Sequence, residues 1–230
     1  MEECNKTNLK DNIYILYIML TDSQIEELAK RMSVPLAGCF FKDELPKKII
    51  PNKTYIINIQ DSEDDDGNQN DGTHWTMLQV QETPNGKIQP IYFDPYGQPP
   101  PEAVKKAVTK NFNKHLPHTT KDVQSLMNNA CGFYCLAMAH FINAFKGRTG
   151  DIYKDVDDFI DCFDDLNHSI DWKKNEYILK MFFQSEDPTK RRNEVFDHSH
   201  DDYERILRED TGGGVDLMKI PVDVNVKNDK

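Results

Sequence analysis

Apolar positions along this chain recur with two different periods, and the changes of period mark its elements. Ile25, Leu28, Ala29 and Met32 return every three or four positions behind Thr21, Asp22 and Ser23, which suit a helix N-cap, so an early helix is expected. TYIINI, Thr54 to Ile59, is a short apolar run of strand length and reads as a buried strand. HWTMLQVQ and KIQPIYF flank TPNG, which predicts a hairpin built on an Asn85-Gly86 turn. Between these strands lies DSEDDDGNQNDG, acidic and turn-rich, read as a solvated loop.

After the breaker YGQPPP, Val104, Ala107, Val108 and Phe112 restore helical spacing, and TTKDVQS predicts a short strand. The almost wholly apolar NNACGFYCLAMAHF then reads as a helix starting near Cys131, with Asn128 or Asn129 as its cap and Gly147 as its stop. Ile152, Val156, Phe159, Ile160 and Phe163 mark an amphipathic helix, and Ile170 to Gln184 a further one. Past Glu186 the chain turns charged and polar, with TGGG at Thr211 to Gly214. Ile220, Val222, Val224 and Val226 then alternate with polar residues and Pro221, the pattern of a half-buried edge strand. The expected architecture is α+β, a mixed central sheet packed against helices over residues 1–185, followed by a charged C-terminal extension over 186–230.

Charge narrows the partners. The chain carries 28 basic and 39 acidic side chains, a net charge of −11, which is a poor match to nucleic acid and favours a protein or small-molecule partner, preferably basic. The longest apolar run, Ile13 to Leu20, falls far short of the roughly 20 residues that cross a bilayer. It lacks the basic start and small-residue cleavage site of a secretory signal, so a soluble cytosolic protein is expected. Five cysteines without framework spacing suit free thiols in a reducing compartment.

Chemistry concentrates on four residues. A thiol at the start of a helix sits among unsatisfied N–H groups at the positive dipole end, which favours the thiolate, so Cys131 is the candidate nucleophile; Cys135, one turn on, should be buried and inert. His74, opening a strand after the acidic loop, is the candidate base. Asp94, at the end of the paired strand, is placed to orient the imidazole. The Gln124 amide and the Cys131 backbone N–H are candidate oxyanion donors.

Each residue has a blander reading. A His beside a Trp on a strand is more often structural, and an isolated Cys131 more often core; their occurrence in the order His, Asp, Gln, Cys reverses those odds. Zinc binding by Cys131 and Cys135 lacks a second ligand pair. HSH, His198 to His200, is a weak metal signature, and DVDDFIDCFDD reads as a solvated helix face rather than a calcium loop.

GTHW, YFDPYG, QSLMNNACGFYC and the upstream LAGCFFKDELP resemble the adenovirus-type (adenain-like) maturation cysteine proteases and, more distantly, the Ulp-type SUMO proteases. Six residues separate Gln124 from Cys131, the adenovirus-like spacing, and the likeness runs roughly over residues 21 to 185. The resemblance implies a papain-like/adenain-like cysteine peptidase fold with the nucleophile at the start of a central helix. It puts His74, Asp94, Gln124 and Cys131 on the catalytic histidine, acid, oxyanion glutamine and nucleophile, with Trp75 and Gly132 as substrate-binding candidates. It further implies a monomeric viral endopeptidase, without metal or organic cofactor, acting in the host-cell cytoplasm and the virion on capsid or other virion precursors cut at Gly-rich sites. In that family an activating peptide adds a strand to the sheet and DNA assists; a DNA activator does not suit so acidic a chain. The strand-like residues 215 to 227 are expected to substitute for that peptide or to be released by self-cleavage at Gly212, Gly213 or Gly214. Two alternatives stay open: an isopeptidase acting on ubiquitin-like modifiers, and a catalytically idle scaffold or peptide-binding member of the fold.

Overall fold

The computed structural model describes residues 19–126, 128–144, 150–167 and 172–184. The expected extension over 186–230, its Gly212–Gly214 run and edge strand, and the helix stop at Gly147 lie outside the described residues.

The chain enters through α1 (Asp22–Arg31), where Thr21 and Gln24 form a reciprocal capping box: Thr21 Oγ1 accepts the Gln24 N–H at 3.3 Å and Gln24 Oε1 accepts the Thr21 N–H at 3.0 Å. Strands β1 (Leu36–Phe41), β2 (Lys53–Asn58), β3 (Trp75–Glu82) and β4 (Ile88–Phe93) then form one sheet in the order β1-β2-β3-β4. β1 runs parallel to β2, while β2–β3 and β3–β4 are antiparallel, so the sheet is mixed as expected. β1 was read only as part of the LAGCFFKDELP segment, because its residues are half-buried on both faces and show no alternation.

The β3–β4 hairpin forms with a different turn from the one expected. Thr83 accepts the Gly86 N–H at 2.8 Å and donates to Lys87 O at 2.9 Å, and only Gly86 takes a left-handed φ of 77°. This is a three-residue connection with a bulge at Gly86, and Pro84 suits its first corner because φ there is already near −65°. Helix α2 (Glu102–Phe112) follows, closed by Asn113 in the left-handed region. The strand expected from TTKDVQS does not form; the one bridge nearby, His118 to Tyr92, lies just before it. β4 ends in a turn at Asp94, so no ladder continues; Val123 and Gln124 both donate instead to Pro95 O, at 2.8 and 3.1 Å.

Helices α3 (Cys131–Ala144), α4 (Ile152–Ile160) and α5 (Trp172–Gln184) complete the described chain. α3 is apolar all round because it is covered all round, by the sheet and by α1, α4 and α5. Alternation along the strands divides the core. Ile56, Met77, Ile91 and Phe93 pack with α3, whereas Tyr55, Ile57, Leu78, Val80 and Tyr92 pack with Val104 and Val108 of α2 on the opposite face. The acid-rich α4 departs from a simple solvated face, since Asp155 is buried alongside Val156 and Phe159.

Candidate active site

His74 immediately precedes β3 and Asp94 immediately follows β4. Met77 faces Phe93 across the antiparallel pair, so the start of one strand and the end of the other share an edge of the sheet. His74 Nε2 lies 2.9 Å from Asp94 Oδ1, and both side chains are buried. The same Oδ1 accepts the Tyr96 N–H at 2.8 Å, and the turn closes with Gly97 N–H on Asp94 O at 2.8 Å. Gly97 is required there: φ is +66°, and a Cβ would come within 2.5 Å of Thr120 O.

Cys131 opens α3, which packs directly under β3. The first helical bond runs from Tyr134 N–H to Ala130 O at 3.0 Å, so the Cys131 N–H belongs to the unsatisfied first turn. Neither asparagine holds the expected cap position. Asn128 acts one step earlier, its Oδ1 accepting the Ala130 N–H at 3.2 Å while its Nδ2 donates to Glu176 Oε1 of α5. This ties the turn before Cys131 to a buried carboxylate.

With Nε2 committed to Asp94, Nδ1 is the second ring nitrogen left to the imidazole, and Cys131 is near enough to act on its titration. Burial by itself would lower the His74 pKa. The Asp94 hydrogen bond, the nearby Cys131 and the charges of both outweigh burial and raise it to about 9. The group is therefore an imidazolium near neutral pH, the form that can protonate a leaving amine. Cys135 is fully buried, its thiol faces Trp75 O at 3.4 Å, and burial pushes its pKa well up, which suits an inert core cysteine.

Gln124 is buried, and its Nε2 donates to Asn128 O at 3.1 Å and to Tyr96 Oη at 3.2 Å. The Tyr96 ring stacks on His74, with centroids 4.5 Å apart and planes inclined by 21°. Burial, with the nearby Cys131 and Asp94 charges, pushes the Tyr96 phenol up to about 12, so it remains a neutral hydroxyl. The predicted His74, Asp94, Gln124 and Cys131 thus belong to one connected site. Tyr96, Asn128 and Glu176 were missed; Tyr96 was within reach, because it stands in the YFDPYG motif two residues after Asp94.

The two substrate-binding candidates differ in placement. Trp75 is buried, donates through Nε1 to Leu20 O at 2.7 Å, and borders a groove also lined by Leu20, Asp22, Phe41, Glu44 and Asp71. Gly132 faces Leu20, whose atoms would lie 3.2 to 3.3 Å from an added Cβ, so its missing side chain first serves the close approach of Leu20 to α3. Among the described residues there is no His, Cys, Asp and Glu group suited to a metal ion, and no helix long and apolar enough to cross a membrane.

A scan of the chain against protein-family models finds no match, and a search of curated proteins finds no significant relative.

Proposed function

We propose that the protein is a papain-like/adenain-like cysteine endopeptidase that processes viral capsid or other virion precursors at Gly-rich sites. The observation that carries this reading is the buried His74, held on Asp94 at 2.9 Å and raised in pKa by Cys131 at the start of α3. A structural histidine has no need of both a carboxylate and a thiol at a helix N-terminus, whereas a thiolate–imidazolium pair needs both. The motifs resembling the adenovirus enzymes supply the substrate class, and the acidic surface favours substrates or activators that are basic.

In this mechanism the Cys131 thiolate adds to the scissile carbonyl carbon. The carbonyl oxygen takes up the electron pair and is met by the Cys131 N–H and by Gln124 Nε2. The His74 imidazolium gives its proton to the departing amine, leaving a thioester on Cys131. His74, now neutral, removes a proton from water as it attacks the thioester, and the thiolate–imidazolium pair is restored when the carboxylic acid product leaves. Asp94 keeps the ring oriented and stabilises its positive form throughout.

Peptide-resolved mass spectrometry of iodoacetamide labelling tests the core of the reading. At neutral pH Cys131 should label ahead of Cys39, Cys135 and Cys162, and His74→Ala should abolish that advantage. Labelling of Cys131 only at alkaline pH, no faster than its neighbours, would remove the catalytic reading. The substrate part is tested separately, by cleavage of Gly-rich peptides with wild type and Cys131→Ala.

A further inference from the structure

The turn that follows Asp94 reaches more of the site than its acid alone. Tyr96 makes three separate contacts there: its N–H donates to the Asp94 oxygen that holds His74, its ring lies on the imidazole, and its hydroxyl accepts from Gln124 Nε2. The backbone of Gln124 is tied to the same turn through Pro95 O. One residue therefore touches the orienting acid, the base and the side-chain oxyanion donor.

We infer that Tyr96 is a positioning residue that couples the His74 base to the Gln124 oxyanion donor, its ring keeping the imidazole in place and its hydroxyl keeping the Gln124 amide aimed. This inference rests on the cysteine peptidase reading and extends it.

The need for such a residue follows from the glutamine side chain. Its terminal torsion is broad, so a single hydrogen bond leaves the amide free to swing. Asn128 O selects which end of the amide faces it, because an inverted amide would set Oε1 against another carbonyl oxygen. Gln124 Oε1 is buried with no hydrogen-bond partner and so contributes no restraint. Tyr96 Oη supplies the second point that defines the torsion. As a neutral oxygen it is a weaker acceptor than a developing oxyanion, so the N–H can pass to the substrate when charge forms there.

Two probes separate this role from a general structural one. Iodoacetamide alkylates the thiolate by displacement at a saturated carbon and forms no oxyanion. p-Nitrophenyl acetate acylates it through a tetrahedral oxyanion, with a new sulfur–carbon bond and p-nitrophenolate as the leaving group. In Tyr96→Phe, which keeps the stacked ring, acylation of Cys131 should slow on the order of tenfold, less than the roughly 100-fold cost of deleting an oxyanion donor. Its alkylation rate and pH profile should match wild type within about twofold. Tyr96→Ala should slow acylation further and also slow alkylation at neutral pH, because the ring that holds the imidazole is gone. Acylation as fast as wild type in Tyr96→Phe, or faster, would overturn the inference, the hydroxyl then being a bystander or a competitor for the amide. Equal losses with both probes, together with a lower melting temperature, would overturn it in favour of plain packing. Wild type that neither acylates nor selectively alkylates at Cys131 would remove the inference together with the reading beneath it.

Discussion

Replacing Asp94 by Asn tests the electrostatics of the site while changing few atoms. The new amide oxygen still accepts the His74 and Tyr96 N–H groups, but the negative charge beside the ring is gone. In the native protein the His74 pKa rises from 6.5 to about 9, equivalent to about 3 kcal/mol at roughly 1.4 kcal/mol per pH unit. Burial is the largest single influence and acts downward; the Asp94 bond leads the upward ones, with Cys131 behind it. A carboxylate in contact is worth roughly 1–3 pH units to an imidazolium, so the variant should titrate between about 6 and about 8. The direct assay is the pH dependence of the His74 Cε1–H resonance in wild type and Asp94→Asn. Stability supplies the companion measurement, and its sign follows from linkage. A folded pKa above the unfolded one stabilises fully below about 6.5, and the gain is lost as pH rises through about 9. Urea unfolding should therefore show wild type losing up to about 3 kcal/mol between pH 6 and 9.5 relative to His74→Gln, with most of that slope absent in Asp94→Asn. A wild-type His74 midpoint near 6.5, or equal midpoints in the two proteins, would refute the reasoning.

Other substitutions test the frame around the site. Gly97→Ala places a Cβ against Thr120 O at a left-handed φ, and urea unfolding should show a loss of about 1–3 kcal/mol. Asn128→Ala strips the Glu176 carboxylate and the Ala130 N–H of a partner; a loss of about 1–3 kcal/mol is expected, with slower acylation of Cys131 because Asn128 also shapes the turn that carries it. Phe159→Ala empties a fully buried site where its ring meets Phe141, Phe163 and Phe182, so unfolding should record a loss of about 3–5 kcal/mol.

Much of this protein was legible in the chain alone, for reasons that are local. Thr21 and Gln24 signal a helix start because their side chains cap N–H groups three residues away. The apolar runs of β2, β3 and β4 and the helical spacings of α1, α2 and α4 mark elements whose buried sides repeat at fixed intervals. The hairpin itself places His74 and Asp94 on one edge, because antiparallel pairing returns the end of β4 to the start of β3. Four chemically suited residues in order, with Cys131 at a helix start, were enough to name the candidate site.

What the chain left open depends on contacts between distant segments. β1 lacks alternation and becomes a strand only through parallel pairing with β2. The extended segment before Cys131 does not become a strand, since β4 turns away at Asp94 and Pro95 O receives the Val123 and Gln124 N–H groups. The raised pKa of His74 balances burial against two partners that come from other elements. Glu176 meets Asn128 from a helix 48 positions further on. Hydrophobic periods and caps are properties of neighbouring residues, and sequence by itself determines them. Orientation of an imidazole or an amide depends on acceptors that only tertiary packing brings within hydrogen-bond range.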